Sequence, residues 1–339
     1  MKPGRIVTFG ELLLRFSKDQ HLRLTQGDTF VSKYGGSEAN VAVSLATLGD
    51  DVSYITRLPD TPVGQAGAMT LRQLGVDTRD ILWGGQRIGT YYFEASAGMR
   101  NSRVIYDRSG SAYSELQPGM IPWRSILRNA AILQVSGITA AISEQAAQAT
   151  FEALDIADEM GVTISFDINY RKNLWRYPGA TPLPTLTRML ECADLMFGDV
   201  IEFEYITERK APPFLATSAQ YEMPLEPYCE WFEDIHRRFP RCHKWLMGIR
   251  NQVSSSHHTL TALLWSEGQL YSTRVMDIPG VLDPMGVGDA FMGAFLHAQR
   301  IFPDDNQQAL DYSLAAATLK NSIPGDFNLS TDEEIRALL

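Results

Sequence analysis

"DPMGVGDAFMGAF" (residues 283–295) places glycines and an acid where an apolar helix begins. Gly286-Val287-Gly288 would expose backbone N–H groups at the helix N-terminus, and these groups with the helix dipole form an anion hole. Asp289 follows in the first turn, beside the hole. This pattern suits phosphoryl transfer to an alcohol, in which the hole holds the phosphate and the carboxylate accepts the hydroxyl proton. The residues alone leave a second interpretation open, in which Asp289 only caps the helix.

Two other glycine-rich motifs fit this stretch poorly. A dinucleotide-binding fingerprint needs a third glycine where the chain has Phe291, and it belongs after an early strand. A Walker phosphate loop needs Gly-Lys followed by Ser or Thr, which the stretch lacks. Neither motif therefore explains the glycines.

The chain around this stretch alternates short apolar runs with helical segments. Such alternation predicts an α/β fold with a doubly wound, mostly parallel sheet and helices on both faces. Residues 37–49 read as one of the helices, with Ser37 as its N-cap. Two patches, about 12–35 and 87–115, break the rhythm and are rich in strand-forming residues. We expect them to form a small sheet that acts as a lid over the cleft of a single domain, residues 1–339.

Polar residues follow several of the predicted buried strands. Doubly wound sheets bind ligands beyond the carboxyl ends of their strands, so these residues are candidates for a site. The strand ends carry Gly10-Glu11, Asp167 to Asn169, Asp199 and Arg250.

Composition limits the partners of the protein. A net charge of −10 and a pI of about 5.1 argue against a surface for nucleic acid or anionic membranes, which needs a basic face. No apolar run approaches the roughly 18 residues of a membrane span, and charges interrupt the N-terminal stretch where a signal peptide would be apolar. We therefore expect a cytoplasmic protein. A small anionic ligand would need local arginines: Arg108 and Arg171 adjoin strand-like runs, and each could either bind a carboxylate or be a solvated surface residue.

Two stretches at opposite ends of the chain resemble a known family. Residues 283–295 are similar to the C-terminal signature of the ribokinase-like (PfkB) carbohydrate kinases, and "YGGSEANVAVSLATLG" (34–49) resembles their N-terminal signature. "GELLLRFS", "SRVIYDRSGSA", "FDINYRKNLW" and "IPGDFN" further resemble 2-keto-3-deoxygluconate kinases, which use ATP to phosphorylate the 6-hydroxyl of a six-carbon keto acid. The resemblance covers nearly the whole chain. It implies a ribokinase-like fold and that activity.

The resemblance also implies a role for each matching residue. Asp289 would be the catalytic base, and Gly286, Val287 and Gly288 the anion hole. The residues expected to contact the acceptor are Gly35, Gly36, Asn40, Tyr92, Tyr106, Arg108, Asp167, Asn169 and Arg171. Those expected near the nucleotide are Asp199, Arg250, Gly286, Gly288 and Asn321, with Glu202 near the metal.

The implied ligands are ATP, Mg²⁺ and a monovalent cation near Asp283. Two departures bear on them. Asp199-Val-Ile-Glu202 stands where the family often has Asn-x-x-Glu, and Asp can still bind Mg²⁺ through water. Pro284 and Met285 replace the usual threonines, which leaves the monovalent-cation site an open question.

Other assignments remain possible from the sequence. The protein could be a fructokinase or another sugar kinase of the same family, or a sensor of sugar acids without catalysis. Against the sensor, Asp289 and the Gly286/Gly288 pair are intact, and binding alone does not need a base. Because lids in this family often pair, we also expect a homodimer or a higher homo-oligomer.

Overall fold

The computed structural model describes residues 4–19, 21–216 and 221–339. Its strands, numbered along the chain, are β1 (Arg5–Phe9), β2 (Leu13–Ser17), β3 (Val31–Gly35), β4 (Val52–Ile55), β5 (Arg57–Leu58), β6 (Leu82–Trp83), β7 (Gly89–Glu94), β8 (Arg103–Asp107), β9 (Ala130–Ser136), β10 (Thr163–Asp167), β11 (Leu195–Asp199), β12 (Leu215–Ala216), β13 (Tyr221–Glu222), β14 (Lys244–Gln252), β15 (His258–Ser266), β16 (Gln269–Ser272) and β17 (Met276–Ile278). Its α-helices are α1 (Ser37–Thr47), α2 (Pro62–Gln73), α3 (Trp123–Ile126), α4 (Gly137–Ala140), α5 (Glu144–Glu159), α6 (Pro182–Cys192), α7 (Val200–Thr207), α8 (Leu225–Arg238), α9 (Val287–Ile301), α10 (Asn306–Lys320) and α11 (Asp332–Arg336).

A large central sheet forms the body of the molecule. Its order is β16-β15-β14-β11-β10-β9-β1-β4, and β17 pairs with β15. The strands from β14 to β4 pair in parallel, while β15, β16 and β17 form an antiparallel edge. Helices cover both faces: α5, α6 and α8 pack into one apolar cluster, and α1, α2, α9 and α10 into another. The predicted doubly wound, mostly parallel sheet is confirmed.

A separate sheet of order β3-β2-β7-β8 lies outside the central sheet. Its strands fall within the two patches that break the alternation of the sequence. Because alternate residues of a strand face opposite sides, the register groups Arg15, Tyr91 and Tyr106 on one face and Phe16, Tyr92 and Ile105 on the other. We call this element the lid sheet. Its closing over the cleft stays a prediction.

The start of helix α9 agrees with the prediction from the sequence, and the start of helix α1 does not. Helix α9 begins at Val287, within residues 283–295, where the sequence predicts a helix start. Helix α1 begins one residue earlier than predicted, because Gly36 is its N-cap and Ser37 is already helical. The prediction of Ser37 as a cap is therefore wrong, and its hydroxyl serves another group. No helix in the described parts of the chain has the length and apolar character that crossing a membrane demands.

Candidate active site

Helix α9 presents its N-terminus at the cleft. Its N-cap is Gly286, whose φ of 77° lies in the left-handed region that glycine adopts without strain. A Cβ at this position would also overlap the carbonyl oxygen of Asp326. Since no side chain among the described residues caps α9, the N–H groups of its first turn can bind an anion. Gly286, Val287 and Gly288 thus lie at an uncapped helix start, and the anion hole expected there stays a prediction.

The carboxylate of Asp289 faces helix α1. It accepts a hydrogen bond of 2.8 Å from the hydroxyl of Ser37 and one of 2.7 Å from the side-chain amide of Asn40. The carboxylate is thus held by another helix, which disfavours the interpretation of Asp289 as a helix cap. Burial raises the pKa of Asp289, while the two hydrogen bonds and the charge of Arg171 lower it. On balance the pKa of Asp289 lies above its usual value, and the two hydrogen bonds fix the orientation of the carboxyl group at the start of α9.

The hydrogen-bond network continues to the end of strand β10. The side-chain amide of Asn169 donates to the hydroxyl of Ser37 at 3.0 Å, so Asn169, Ser37 and Asp289 form one chain. Asn169 is buried with a φ of 36°, and its side-chain oxygen has no hydrogen-bond partner within the described residues. A buried oxygen without a partner is costly, so a ligand hydroxyl at this point would be stabilised.

Acids gather where strands β10 and β11 end. Burial, Glu202 and Asp289 raise the pKa of Asp167 well above its usual range, and Arg171 lowers it. Burial also raises the pKa of Glu202, as does Asp199. The like charges oppose one another, and a divalent cation would relieve the repulsion.

The position of Glu202 is set by the start of helix α7. Its carboxylate accepts N–H bonds from Tyr170 at 2.9 Å and from Asp199 at 3.2 Å, while Asp199 accepts the N–H of Glu202 at 2.8 Å, which makes a capping box. Within the described residues, no three His, Cys, Asp or Glu side chains could together hold a metal ion. Asp167 and Glu202 could therefore bind Mg²⁺ only together with waters and phosphate oxygens, which this ion commonly keeps as ligands.

The two arginines predicted to bind a carboxylate, Arg108 and Arg171, differ in their exposure to solvent. Arg108 is buried, and its Nε donates to Glu11 at 2.5 Å. Its Nη1 is buried without a hydrogen-bond partner among the described residues. Arg171 is exposed to solvent in the cleft. Although its surface is open to solvent, the protein atoms crowded around its guanidinium group lower its pKa by desolvation, while Tyr106 and the acids Glu202, Asp167 and Asp289 raise it on balance.

The structure does not bring Tyr92 to the acceptor side. Its ring packs against Phe16 and Phe30 on the outer face of the lid sheet. The neighbouring Tyr91 takes the inner face: its ring lies 6.0 Å from that of Tyr106, and its hydroxyl donates to Asp326. The position of Tyr92 on the face opposite to Tyr106 therefore argues against the expected acceptor contact of Tyr92. Strand alternation explains the difference, since adjacent residues face opposite sides.

Sequence reasoning also missed the ion cluster that ties the lid sheet to the anion hole. Arg15, from strand β2, lies 2.8 Å from a carboxylate oxygen of Asp283 and 2.8 Å from one of Asp326. All three side chains are buried. The only signal was that Arg15 and Asp326 fall in "GELLLRFS" and "IPGDFN".

Two glycines at the end of strand β3 leave room for neighbouring groups. A Cβ on Gly35 would overlap the carboxylate of Asp326, which explains the glycine at this position. Gly36 similarly leaves room for the carbonyl of Glu11.

The predicted nucleotide residues divide into two groups. Asp199 and Arg250 lie at the ends of the neighbouring strands β11 and β14, and both are exposed at the cleft edge. Asn321 does not reach a ligand with its side chain, which is buried and donates to the carbonyl of Ala317 at 2.8 Å. Its amide satisfies the end of helix α10 instead. The prediction of a nucleotide contact from this side chain is therefore corrected.

Comparison with known proteins agrees with this geometry. Residues 4–235 match the pfkB family of carbohydrate kinases. A 2-dehydro-3-deoxygalactonokinase from Haloferax volcanii is 30% identical over 99% of this chain and 96% of its own length. A crystal structure of 2-dehydro-3-deoxygluconokinase from Thermotoga maritima superposes with a TM-score of 0.91 at 33% identity, and 99% of each chain is covered. An E. coli ribokinase II in complex with ATP and Mg²⁺ shares the fold at 18% identity, with a TM-score of 0.81 over 99% of both chains. The chain belongs to the pfkB family of carbohydrate kinases.

Proposed function

We propose that the protein transfers the γ-phosphoryl group of ATP to the 6-hydroxyl of 2-keto-3-deoxygluconate. The observation that carries the proposal is the carboxyl group of Asp289, which two hydrogen bonds fix beside the uncapped N-terminus of α9. The charge of Arg171 acts on Asp289, and Arg108 lies 5.7 Å from the ring of Tyr106, which in turn acts on Arg171. A base and an anion hole together suit transfer of phosphate to an alcohol. The two arginines suit an acceptor that carries a carboxylate.

The transfer follows from the positions of these groups. The acceptor oxygen forms a bond to the γ-phosphorus while the bond from that phosphorus to the bridging oxygen breaks, and ADP leaves. The hydroxyl proton passes to the carboxylate of Asp289, which Ser37 and Asn40 hold in place. The N–H groups at the start of α9 stabilise the negative charge of the transferring group. Mg²⁺, when bound near Asp167 and Glu202, would neutralise phosphate charge.

An unpaired donor of Arg108 supports an acceptor that carries a carboxylate. The buried Nη1 of Arg108 lacks a partner within the described residues, and such a donor costs free energy that a ligand carboxylate would recover. The pairing of Tyr91 with Tyr106 on the inner face of the lid sheet supports a proposed contact of both tyrosines with the same end of the acceptor. The Nε of Arg108 already pairs with Glu11, and a neutral sugar such as fructose would leave its Nη1 without a carboxylate to bind.

The galactonate epimer of the acceptor is a second candidate. It differs from 2-keto-3-deoxygluconate at one stereocentre, and the relative from Haloferax volcanii is a kinase of that epimer by its name. The contacts proposed for Arg108 and Tyr91 would involve the carboxylate end of the acceptor, which the epimers share. Fructokinase activity and sensing without catalysis are less well supported, the first because of the arginines and the second because of Asp289.

An acceptor panel tests the proposal. The purified protein is supplied with ATP, Mg²⁺ and one of four acceptors: 2-keto-3-deoxygluconate, its galactonate epimer, fructose or ribose. ADP release gives the rate, and ³¹P–¹³C correlation in the product locates the phosphate. We expect the keto acids to be preferred, with phosphate on the terminal carbon. Absence of ADP release with every acceptor would favour the sensor, and phosphate on another oxygen would exclude the proposed reaction.

Two further expectations stay predictions. Exposed apolar side chains on the outer face of the lid sheet, Phe30 and Ile105, support pairing of two copies. The expected cytoplasmic location rests on the sequence alone.

A further inference from the structure

Lys320 is a charged residue that the proposed reaction does not use. It ends helix α10 and has no exposed surface. Its ammonium group donates to the carbonyl of Ile323 at 2.9 Å and lies 3.4 Å from the carbonyl of Asp283. These two carbonyls belong to two different loops. The ammonium thus joins the loop before α9 to the loop after α10.

These loops support the anion hole. The N–H of Leu282 donates to the carbonyl of Asn321 at 2.8 Å, and the N–H of Gly325 donates to the carboxylate of Asp283 at 2.8 Å. The carbonyl of Asp326 packs so closely on Gly286 that no Cβ would fit between them. A shift of the loop after α10 would therefore displace the N-cap of α9.

The charges of the cluster balance only if Lys320 is protonated. The buried acids Asp283 and Asp326 face the buried cations Arg15 and Lys320. The pKa of Lys320 is lowered to about 8. Burial lowers it most and Arg15 lowers it too, while Asp283 and Asp326 raise it. The ammonium form therefore prevails at neutral pH.

The same residues fit a separate monovalent cation poorly. The carboxylate of Asp283 already binds Arg15, the N–H of Gly325 and the N–H of Met285. Pro284 and Met285 carry no side-chain oxygen that could bind a cation. The position between the carbonyls of Asp283 and Ile323, where a cation would find oxygen ligands, is taken by the ammonium group.

We propose that Lys320 is an internal cation, which holds the anion-hole loop in place and makes the enzyme independent of the monovalent cation that the family resemblance implies. Lys320 is a positioning residue, since it acts on the reaction through Gly286. The inference rests on the proposed kinase activity. It adds only that this activity needs no monovalent cation from the buffer.

The test compares the wild type with two variants in potassium, ammonium and tetramethylammonium buffers. The wild type should have the same kcat and the same unfolding temperature in all three. Lys320→Ala opens space for a small cation, so in tetramethylammonium its kcat should fall on the order of 100-fold, as expected for a displaced catalytic group. Potassium or ammonium should restore much of the kcat and raise the unfolding temperature. Lys320→Met fills the space with an uncharged side chain. Its kcat should fall, and neither potassium nor ammonium should restore it.

Each outcome decides between the alternatives. A wild type that needs potassium would overturn the inference, because a separate cation site would then exist. Full activity of Lys320→Met in tetramethylammonium would overturn it as well. If Lys320→Ala fails to fold, the wild-type comparison still tests the claim. A wild type that phosphorylates no acceptor in any buffer would instead refute the proposed function.

Discussion

The side-chain amide of Asn40 donates a hydrogen bond of 2.7 Å to the carboxylate of Asp289, although 249 residues separate them in the chain. The bond joins helix α1, at the N-terminal signature, to helix α9, at the C-terminal one. It brings the two stretches that suggested the family into one site. The orientation of the proposed base thus depends on packing between two distant helices.

Replacing the base tests its role. Asp289→Asn should lower kcat by about 10²–10⁴, because the amide cannot accept the hydroxyl proton. Folding and ATP affinity should change little, since the amide has nearly the same shape. Steady-state kinetics and thermal unfolding measure both. Asp304→Asn, at an exposed acid beyond the end of α9, is the matched control and should behave as the wild type. A variant of Asp289 that keeps most of its turnover would leave the carboxylate a structural role only.

The hydrogen bond from Asn40 should be visible in the pH profile. It lowers the pKa of Asp289, against burial, which raises it. Asn40→Ala removes the bond, so the pKa of the base should rise and the acid limb of kcat should move to higher pH. The exposed Asn101→Ala is the control. An acid limb that stays at the wild-type pH would mean that another group sets it.

The lid sheet should lose mobility when the acceptor binds, because phosphoryl transfer must exclude water. Hydrogen exchange in β7 and β8 should slow at saturating 2-keto-3-deoxygluconate. The central strand β10, which is buried in both states, provides the reference within the same protein. Unchanged exchange across β7 and β8 would argue against a closing lid.

Glu38 should make stability depend on pH. Burial raises its pKa from 4.5 to about 7, although the hydroxyls of Ser136 and Thr139 lower it. Since the folded state then binds the proton more tightly than the unfolded state, this contribution is complete below pH 4.5 and is lost as the pH rises through about 7. Glu38→Gln should remove the dependence.

Denaturant unfolding at several pH values measures the effect of Glu38. Between about pH 5 and pH 8 the free energy of unfolding of the wild type should fall on the order of 3 kcal/mol relative to that of Glu38→Gln. The exposed Glu191→Gln should follow the wild type. Parallel curves for the wild type and Glu38→Gln would show that Glu38 titrates normally.

Local features of the site could be predicted from the sequence. Gly286-Val287-Gly288 and the acid after it define a helix start within four residues, so the candidate anion hole and the candidate base could be named without knowledge of the fold. The lid strands could be located too, because their patches interrupt a regular alternation. The mostly parallel order followed from the same alternation.

The features that failed depend on register and on distant loops. Tyr91 and Tyr92 are equivalent in sequence, and only the pairing of β7 with β2 and β8 shows which one faces inward. Asn321 resembles a ligand residue until its burial at the end of α10 is known. Lys320 carries no local signal, since its carbonyl partners are set by the meeting of two loops.

Selectivity between acidic and neutral acceptors tests the central claim most directly. The measurement is kcat/KM for 2-keto-3-deoxygluconate and for fructose, in the wild type, in Arg108→Ala and in Arg87→Ala, a lid arginine that pairs with Asp107. A hydrogen bond to a charged group contributes about 1.5–3 kcal/mol, so Arg108→Ala should lower the value for the keto acid by roughly 10–100-fold. Fructose should be affected far less, and Arg87→Ala should match the wild type. A wild type that prefers fructose, or an Arg108→Ala variant that loses both acceptors equally, would contradict the account.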